Sequence, residues 1–339
     1  MIDPANPANS ANPTTQISHF NARFAALRSE IAKGIVGNEG LVTDCLVALL
    51  TQGHVLLEGV PGLGKTSLVR VLSKVLGLSF GRVQCTPDLM PADILGTHIV
   101  NEDDHGRRTL RFERGPVFRH LLLVDEINRA TPKTQAALLE VMQERQVTAG
   151  TECMPLPAPF FVLATQNPVE MEGTYPLPEA QLDRFAFKLI VRFPAREQLV
   201  AIANRTSGYH EATLTPVMDG AEIEALTMQA AEVAISDPLA LYAADLVLAT
   251  HPDQPQAPPA VKRMVAYGAS PRGLQTLMRT ARVHALLAGR PAVAVSDIRR
   301  VAHAALRHRI IRNFEGEAEG LEPDKLIDEI LATVPAPGV

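Results

Sequence analysis

From Ile17 onward, apolar residues recur at helical spacing: Phe20, Phe24, Leu27 and Ile31, with Gly34 as a stop. A second amphipathic stretch over 39–52 sets Leu41, Cys45, Leu46 and Leu49 on one face. The pattern then changes to short apolar runs at 54–57, 81–85, 120–124 and 160–164, separated by helical stretches. Such alternation predicts parallel strands joined by crossover helices. After about Pro194 no strong strand recurs. Leu274, Met278, Ala281 and Ala285 stripe one predicted helix and Ile298, Ala302 and Leu306 another, while 251–260 (HPDQPQAPPA) reads as a Pro-rich loop. The first 17 residues repeat Ala, Asn and Pro, which bury little and break helices. The expected organisation is a disordered tail over 1–17, an α/β domain over 18–194 and a smaller helical domain over 195–339.

Composition narrows the function classes. A chain of 339 residues that is 46% hydrophobic and 20% charged can bury a sizeable core. With 32 basic and 37 acidic residues the net charge is -5, which argues against a surface devoted to nucleic acid or anionic membrane. Aromatics are 4% and Trp is absent, so platforms for stacking single-stranded bases are poorly supplied. Cys45, Cys85 and Cys153 stand far apart, as free thiols of a reducing compartment do. Histidines are scattered, and His303 and His308 do not share a helical face, so no structural metal site is expected. No basic leader opens the chain and no apolar run approaches the about 18 residues of a spanning helix. A soluble cytoplasmic protein without direct membrane insertion is the expectation.

Chemistry concentrates in a few segments. Gly59-Val60-Pro61-Gly62-Leu63-Gly64-Lys65-Thr66 matches GxxxxGK[ST] between an apolar strand and an amphipathic helix. Its glycines let backbone N–H groups wrap phosphates, Lys65 reaches the β and γ phosphates, and Thr66 can ligate Mg²⁺. The run Leu121–Val124 ends in Asp125-Glu126, two carboxylates at the edge where parallel sheets place ligands. Asp125 suits the Mg²⁺ hydration shell and Glu126 the polarisation of an attacking water. A further apolar run ends in Asn167-Pro168, where Asn167 is either a γ-phosphate or water ligand or simply the start of a turn. Arg184, in PEAQLDRF, is either a cation for a transferring phosphate or a surface partner of Asp183 or Glu179. Ser270-Pro271-Arg272 opens a helix, with Ser270 as N-cap and Pro271 as first residue. Arg272 therefore projects from a first turn, either over a nucleotide or with no role.

Taken together, GVPGLGKT, LLLVDEINRATPKTQAALLEVMQERQVT, ATQNPVEMEGTYPLPEAQLDRF, SPRG and HRIIRNFEGEAEGL resemble the MoxR-type ATPases of the AAA+ superfamily, over roughly residues 17–335. The resemblance implies a P-loop core, its parallel sheet sandwiched by helices, followed by an all-α lid. It implies Walker A residues through Lys65, Thr66 and Ser67, Walker B residues Asp125 and Glu126, and Asn167 as sensor 1. Arg184 would be an arginine finger acting on a neighbouring copy, Arg272 the sensor 2 arginine, and Val36 with Gly37 would lie near the adenine. Arg129 would also lie at the subunit interface. Two insertions follow the clade's pattern: a hairpin over about 96–112 around Asn101-Glu102-Asp103-Asp104-His105-Gly106, and one over 146–155 around Ala149-Gly150. Departures are Met171 where Gln is common, Val124 for Ala, and the Asn/Pro/Ala tail.

The function implied is ATP hydrolysis with Mg²⁺ by a ring, expected to be a hexamer, that remodels or activates a protein client alongside a von Willebrand factor A domain protein. ATP would sit between core and lid. One alternative is a nucleic-acid motor, since replicative helicase cores share the hairpins. The tips Glu102-Asp103-Asp104 and Thr148–Glu152 would repel phosphates, so no nucleic acid is expected. Arg307-His308-Arg309 with Arg312 is the counter-evidence, read as a solvated helix end answering Glu315, Glu317 and Glu319. The other alternative, a slow ATP-dependent binding switch, has Glu126 against it.

Overall fold

The computed structural model describes residues 13–60, 62–102, 108–150, 152–168, 173–206 and 213–338. Contacts divide the chain into two units, one of residues 30–224 and one of residues before 30 together with those from 225 onward. Helix α1 (Pro13–Gly34) crosses the first division. Next come α2 (Glu39–Leu50), β1 (Val55–Glu58), α3 (Lys65–Val75), β2 (Phe80–Gln84), α4 (Pro91–Leu95) and a hairpin of β3 (Gly96–Glu102) and β4 (Arg108–Arg114). β5 (Leu121–Asp125) and α5 (Pro132–Glu144) lead to a second hairpin of β6 (Gln146–Ala149) and β7 (Glu152–Pro155). The unit continues through β8 (Phe161–Gln166), α6 (Glu179–Leu182), β9 (Phe187–Ile190) and α7 (Arg196–Thr206), and ends inside α8 (Gly220–Ala231).

The sheet runs β2-β5-β8-β1-β9 with every pair parallel. β5 and the first five residues of β8 are buried throughout, which is why they read as unbroken apolar runs rather than as alternation. One face, from Leu56, Val83, Leu122, Val124 and Val162, packs against Leu138, Leu139 and Met142 of α5. Parallel pairing brings all carboxyl ends to one edge. The strand order sets the end of β8 between those of β1 and β5, so Asn167 emerges between the Gly-rich loop and the two carboxylates. β9 was not foreseen. It is four residues at the sheet's edge, where Lys188 bonds Glu58 at 2.7 Å.

His54 ties the buried base of this sheet to its surroundings. Its Nε2 lies 2.9 Å from the Met142 carbonyl, and its Nδ1 accepts the Val162 N–H at 3.1 Å. Burial, against a smaller opposing effect of the Met142 bond, pushes its pKa down to about 4.

In the second unit, α9 (Asp237–Leu248), α10 (Pro259–Met264), β10 (Val265–Tyr267), α11 (Pro271–Leu287), α12 (Val295–Leu306), β11 (Ile311–Arg312), α13 (Phe314–Ala318) and α14 (Pro323–Thr333) follow in order. α11 packs on α9 and α12, and α12 on α14. Contacts on two sides widen the buried face of α11 beyond the expected stripe: Ala281 and Ala285 are buried as expected and Gly273, Leu277 and Thr280 are buried too, while Leu274 and Met278 are only half-buried. Ser270 accepts the Arg272 N–H at 3.1 Å with Pro271 behind it, the cap read from the sequence.

Three expectations need correction. α1 begins at Pro13, inside the stretch expected to be tail, because Pro is tolerated in a first helical turn; residues 1–12 lie outside the described residues. Its first part belongs with the helical unit, through buried Phe20, Phe24 and Leu27 and an Asn21 Nδ2 bond to the Leu286 carbonyl at 2.7 Å. Conversely, residues 195–224 belong with the α/β unit rather than the helical one. Thr215 donates its N–H to Glu30 Oε1 at 2.9 Å and Val217 to the Val75 carbonyl at 2.8 Å. The basic cluster, finally, is not a solvated end: Arg307 grips Asp324 through Nε at 2.8 Å and Nη2 at 2.9 Å, and His308 and Arg309 are buried. Arg312 donates to the Leu321 carbonyl, and it is Arg263 that meets Glu315 and Glu319.

Candidate functional site

The loop after β1 turns at Gly62 and Gly64, whose φ values of +83° and +76° L side chains rarely adopt. Among the described residues, and apart from its chain neighbours, a Cβ at either would meet nothing within 4 Å, so the backbone there borders open space. Gly59 is needed for another reason, since a Cβ would fall 2.8 Å from the Val191 carbonyl oxygen. Gly64 is also the N-cap of α3, so the positive end of that helix faces the same space. Pro61 lies outside the described residues.

That space is a cavity of about 370 Å³ lined by Gly62, Gly64, Lys65, Thr66 and Ser67 from the loop and helix, Arg82 and Gln84 from β2, Asp125 at the end of β5 and Glu126 just after it, and Thr165 of β8 and Asn167 just after it. Lys65 folds back so that Nζ donates to the Gly59 carbonyl at 2.6 Å. Burial lowers its pKa, opposed by the charges of Asp125, Glu126 and Glu58. Thr165 orders the Asp125 carboxylate and the Glu126 backbone: its hydroxyl donates to Asp125 Oδ1 at 3.3 Å and accepts the Glu126 N–H at 2.9 Å. Glu126 itself sits in the left-handed region, φ 56° and ψ 51°, which turns its side chain out of the strand's direction. Beneath, burial pushes the Cys85 thiol up to about 12, the Asp125 and Glu126 charges adding to the effect.

Beside the loop lies an apolar cavity of about 450 Å³, lined among others by Ile35, Val36, Leu63, Val191, Phe193 and Ile202. Its apolar lining suits a nucleobase, with the phosphate-sized cavity next to it across Gly62, Gly64 and Lys65, which border both. Gly37, at φ +71°, stands behind it against Gln198. The donor set also fits Mg²⁺, because a hydroxyl on Thr66 and a carboxylate on Asp125 are the hard oxygen ligands that ion takes.

Of the residues expected from sequence, Gly62, Gly64, Lys65, Thr66, Ser67, Asp125, Glu126 and Asn167 are thus brought together. Leu63 and Val36 line the neighbouring cavity. Arg184 does not line either cavity of its own chain. Its Nη1 donates to the Leu139 carbonyl at 2.7 Å, and its buried Nε has no hydrogen-bond partner among the described residues. Arg129 bonds Glu126 Oε2 at 3.1 Å. Arg272 belongs to the other unit. Sequence reading missed Arg82, Gln84 and Thr165. The available signal was an Arg-x-Gln step at the carboxyl end of a parallel strand, where both side chains take the same face.

Similarity to known proteins decides the family. The profile of the ATPase family associated with various cellular activities matches residues 54–187, and an AAA lid domain matches residues 259–330. Chaperone MoxR1 of Mycobacterium tuberculosis is 43% identical over 91% of this chain and 81% of its own. Protein MoxR of Paracoccus denitrificans is 36% identical over 95% of this chain and 99% of its own. The chain belongs to the MoxR family of AAA+ ATPases. A crystal structure from Cytophaga hutchinsonii, described as that of a candidate ATPase, superposes on this MoxR-family chain with a TM-score of 0.88 at 40% identity, covering 95% of this chain and 97% of that one. The fold is accordingly an α/β AAA+ core with a helical lid domain. Among the described residues of this MoxR-family chain, no helix is long and apolar enough to cross a membrane.

Proposed function

We propose that this MoxR-family protein hydrolyses Mg²⁺-bound ATP in the cytoplasm, as a ring of six copies that remodels or activates a protein client together with a von Willebrand factor A domain protein. The observation that carries the reading is the convergence of Lys65, Thr66, Asp125, Glu126 and Asn167 on one cavity beside an apolar one. Bound Mg²⁺ supplies charge neutralisation on the phosphate oxygens, held by Thr66 and Asp125. Lys65 and the loop N–H groups bind the β and γ phosphates. Glu126 takes the proton of the attacking water, and Asn167 orients that water. Arg184, leaving the Leu139 carbonyl, answers the developing charge on a neighbouring copy's nucleotide, and Arg272 reads the bound nucleotide.

A protein client is favoured by the first hairpin and by the name of the mycobacterial relative, a chaperone. Val100 and Leu110 are cross-strand partners there and are 63% and 69% exposed, an apolar pair that suits protein better than phosphate. The internal engagement of Arg307, Arg309 and Arg312 takes that basic cluster away from any nucleic acid.

The test is affinity capture with Glu126→Gln, which retains ATP and its client, beside Lys65→Ala, which binds no ATP. Recovery of a von Willebrand A-type protein only with the first supports the reading, and ATP-independent recovery or recovery of nucleic acid refutes it. Turnover per chain should rise with protein concentration. A rate independent of concentration and equal in Arg184→Ala removes the action on a neighbour.

A further inference from the structure

Strand β2 brings two polar side chains to the carboxylates, and their bonds form one connected run. Arg82 Nε donates to Asp125 Oδ2 at 2.8 Å, and its Nη2 donates to Gln84 Oε1 at 2.9 Å. Gln84 Nε2 in turn donates to Glu126 Oε2 at 3.0 Å, an oxygen that also accepts from Arg129. The amide's two ends thus face opposite partners, which fixes its orientation and, through it, that of the guanidinium.

Both Asp125 oxygens are engaged, Oδ1 by the Thr165 hydroxyl and Oδ2 by Arg82. A divalent cation held at this carboxylate, directly or through its water, would meet a resident positive charge on the same group. The two cations would repel each other and share one carboxylate. Arg82 also lines the phosphate-sized cavity, so a displaced guanidinium has an anionic partner within reach of the same stem.

We propose that Arg82 is a positioning residue that competes with Mg²⁺ for Asp125, buttressed by Gln84, so that strand β2 sets how much free Mg²⁺ the site needs before nucleotide binds with metal. The inference rests on the ATP-binding reading above. Arg82's side chain is 44% exposed, so the ion pair works at the strength of a surface pair and the effect is modest, about two- to fivefold.

The experiment measures binding of a fluorescent, non-hydrolysable ATP analogue to the full-length chain, with Mg²⁺ and in EDTA, and compares the ratio of the two affinities. In Arg82→Gln both affinities fall with the lost charge, but the ratio rises about two- to fivefold because no cation contests Asp125. Gln84→Ala raises the ratio by less, and the double variant exceeds Arg82→Gln by nothing measurable, since both act on one contact. Arg82→Lys, which keeps the charge, stays near the wild-type ratio. Unchanged melting temperatures establish that each variant is folded. A ratio unmoved in Arg82→Gln, or raised equally in Arg82→Lys, overturns the competition while leaving ATP binding intact. Failure of the wild-type chain to bind the analogue instead overturns the ATP reading on which the proposal stands.

Discussion

Acid should destabilise the α/β unit through His54, and the size of the effect follows from its surroundings. The imidazole is buried and doubly engaged, Nε2 toward the Met142 carbonyl and Nδ1 accepting from Val162. Protonation of Nδ1 would remove the acceptor and set two N–H groups against each other. Its pKa is about 4 in the folded chain, against about 6.5 when exposed. Between these values the unfolded chain binds a proton that the folded chain refuses, so stability falls as pH falls and is nearly flat above pH 7. Linkage over the interval from pH 7 to pH 5 gives a loss of about 2 kcal/mol, or about 4–8 °C in melting temperature for a unit of this size. The assay is thermal unfolding from pH 8 to pH 5 of wild type and His54→Asn. The variant loses packing against Phe160 and melts lower at pH 7, yet its melting temperature should move less on acidification by that same margin. His284, held at about 4 by burial, contributes equally to both proteins. Parallel pH curves for the two proteins would refute the reasoning.

Gly64→Ala should weaken ATP-analogue binding about 5- to 30-fold, because at φ +76° the cost is backbone strain of about 1–2 kcal/mol with open space around the Cβ. Gly64→Asn, a bulkier residue that tolerates this conformation, should bind better than Gly64→Ala, and the reverse order would point to bulk instead. Arg307→Ala should cost the helical unit about 1–3 kcal/mol in urea unfolding by abandoning Asp324, with Arg307→Lys losing less. Equal stability of all three proteins would show the grip to be energetically idle.

The parallel core was legible because β5 and most of β8 are buried on both faces, leaving continuous apolar runs that no helix of that length resembles. The Gly-rich loop and the carboxylates that share one cavity were legible because each is contiguous in the chain. β9 escaped because at an edge its Lys188 is satisfied by Glu58, which erases the apolar signature. The allegiance of residues 195–224 escaped for a different reason: it is decided by bonds such as Thr215 to Glu30, whose partners lie far apart in sequence. The same holds for Arg82 and Asp125, joined across neighbouring strands. Local order can be read from local pattern, whereas cross-strand partners become visible only with the register.

The left-handed backbone at Glu126 sets two demands against each other. Holding a side chain other than Gly, Asn or Asp in that region costs about 1–2 kcal/mol. Substitutions that relax the turn therefore either remove the carboxylate, as Gly and Asn do, or shorten its reach by a methylene, as Asp does. A lineage that retained nucleotide binding but abandoned turnover would be free to drift toward Gly or Asn at this one position. If Glu126 activates water as proposed, the occupant of that site in a relative marks whether it still spends nucleotide or only holds it.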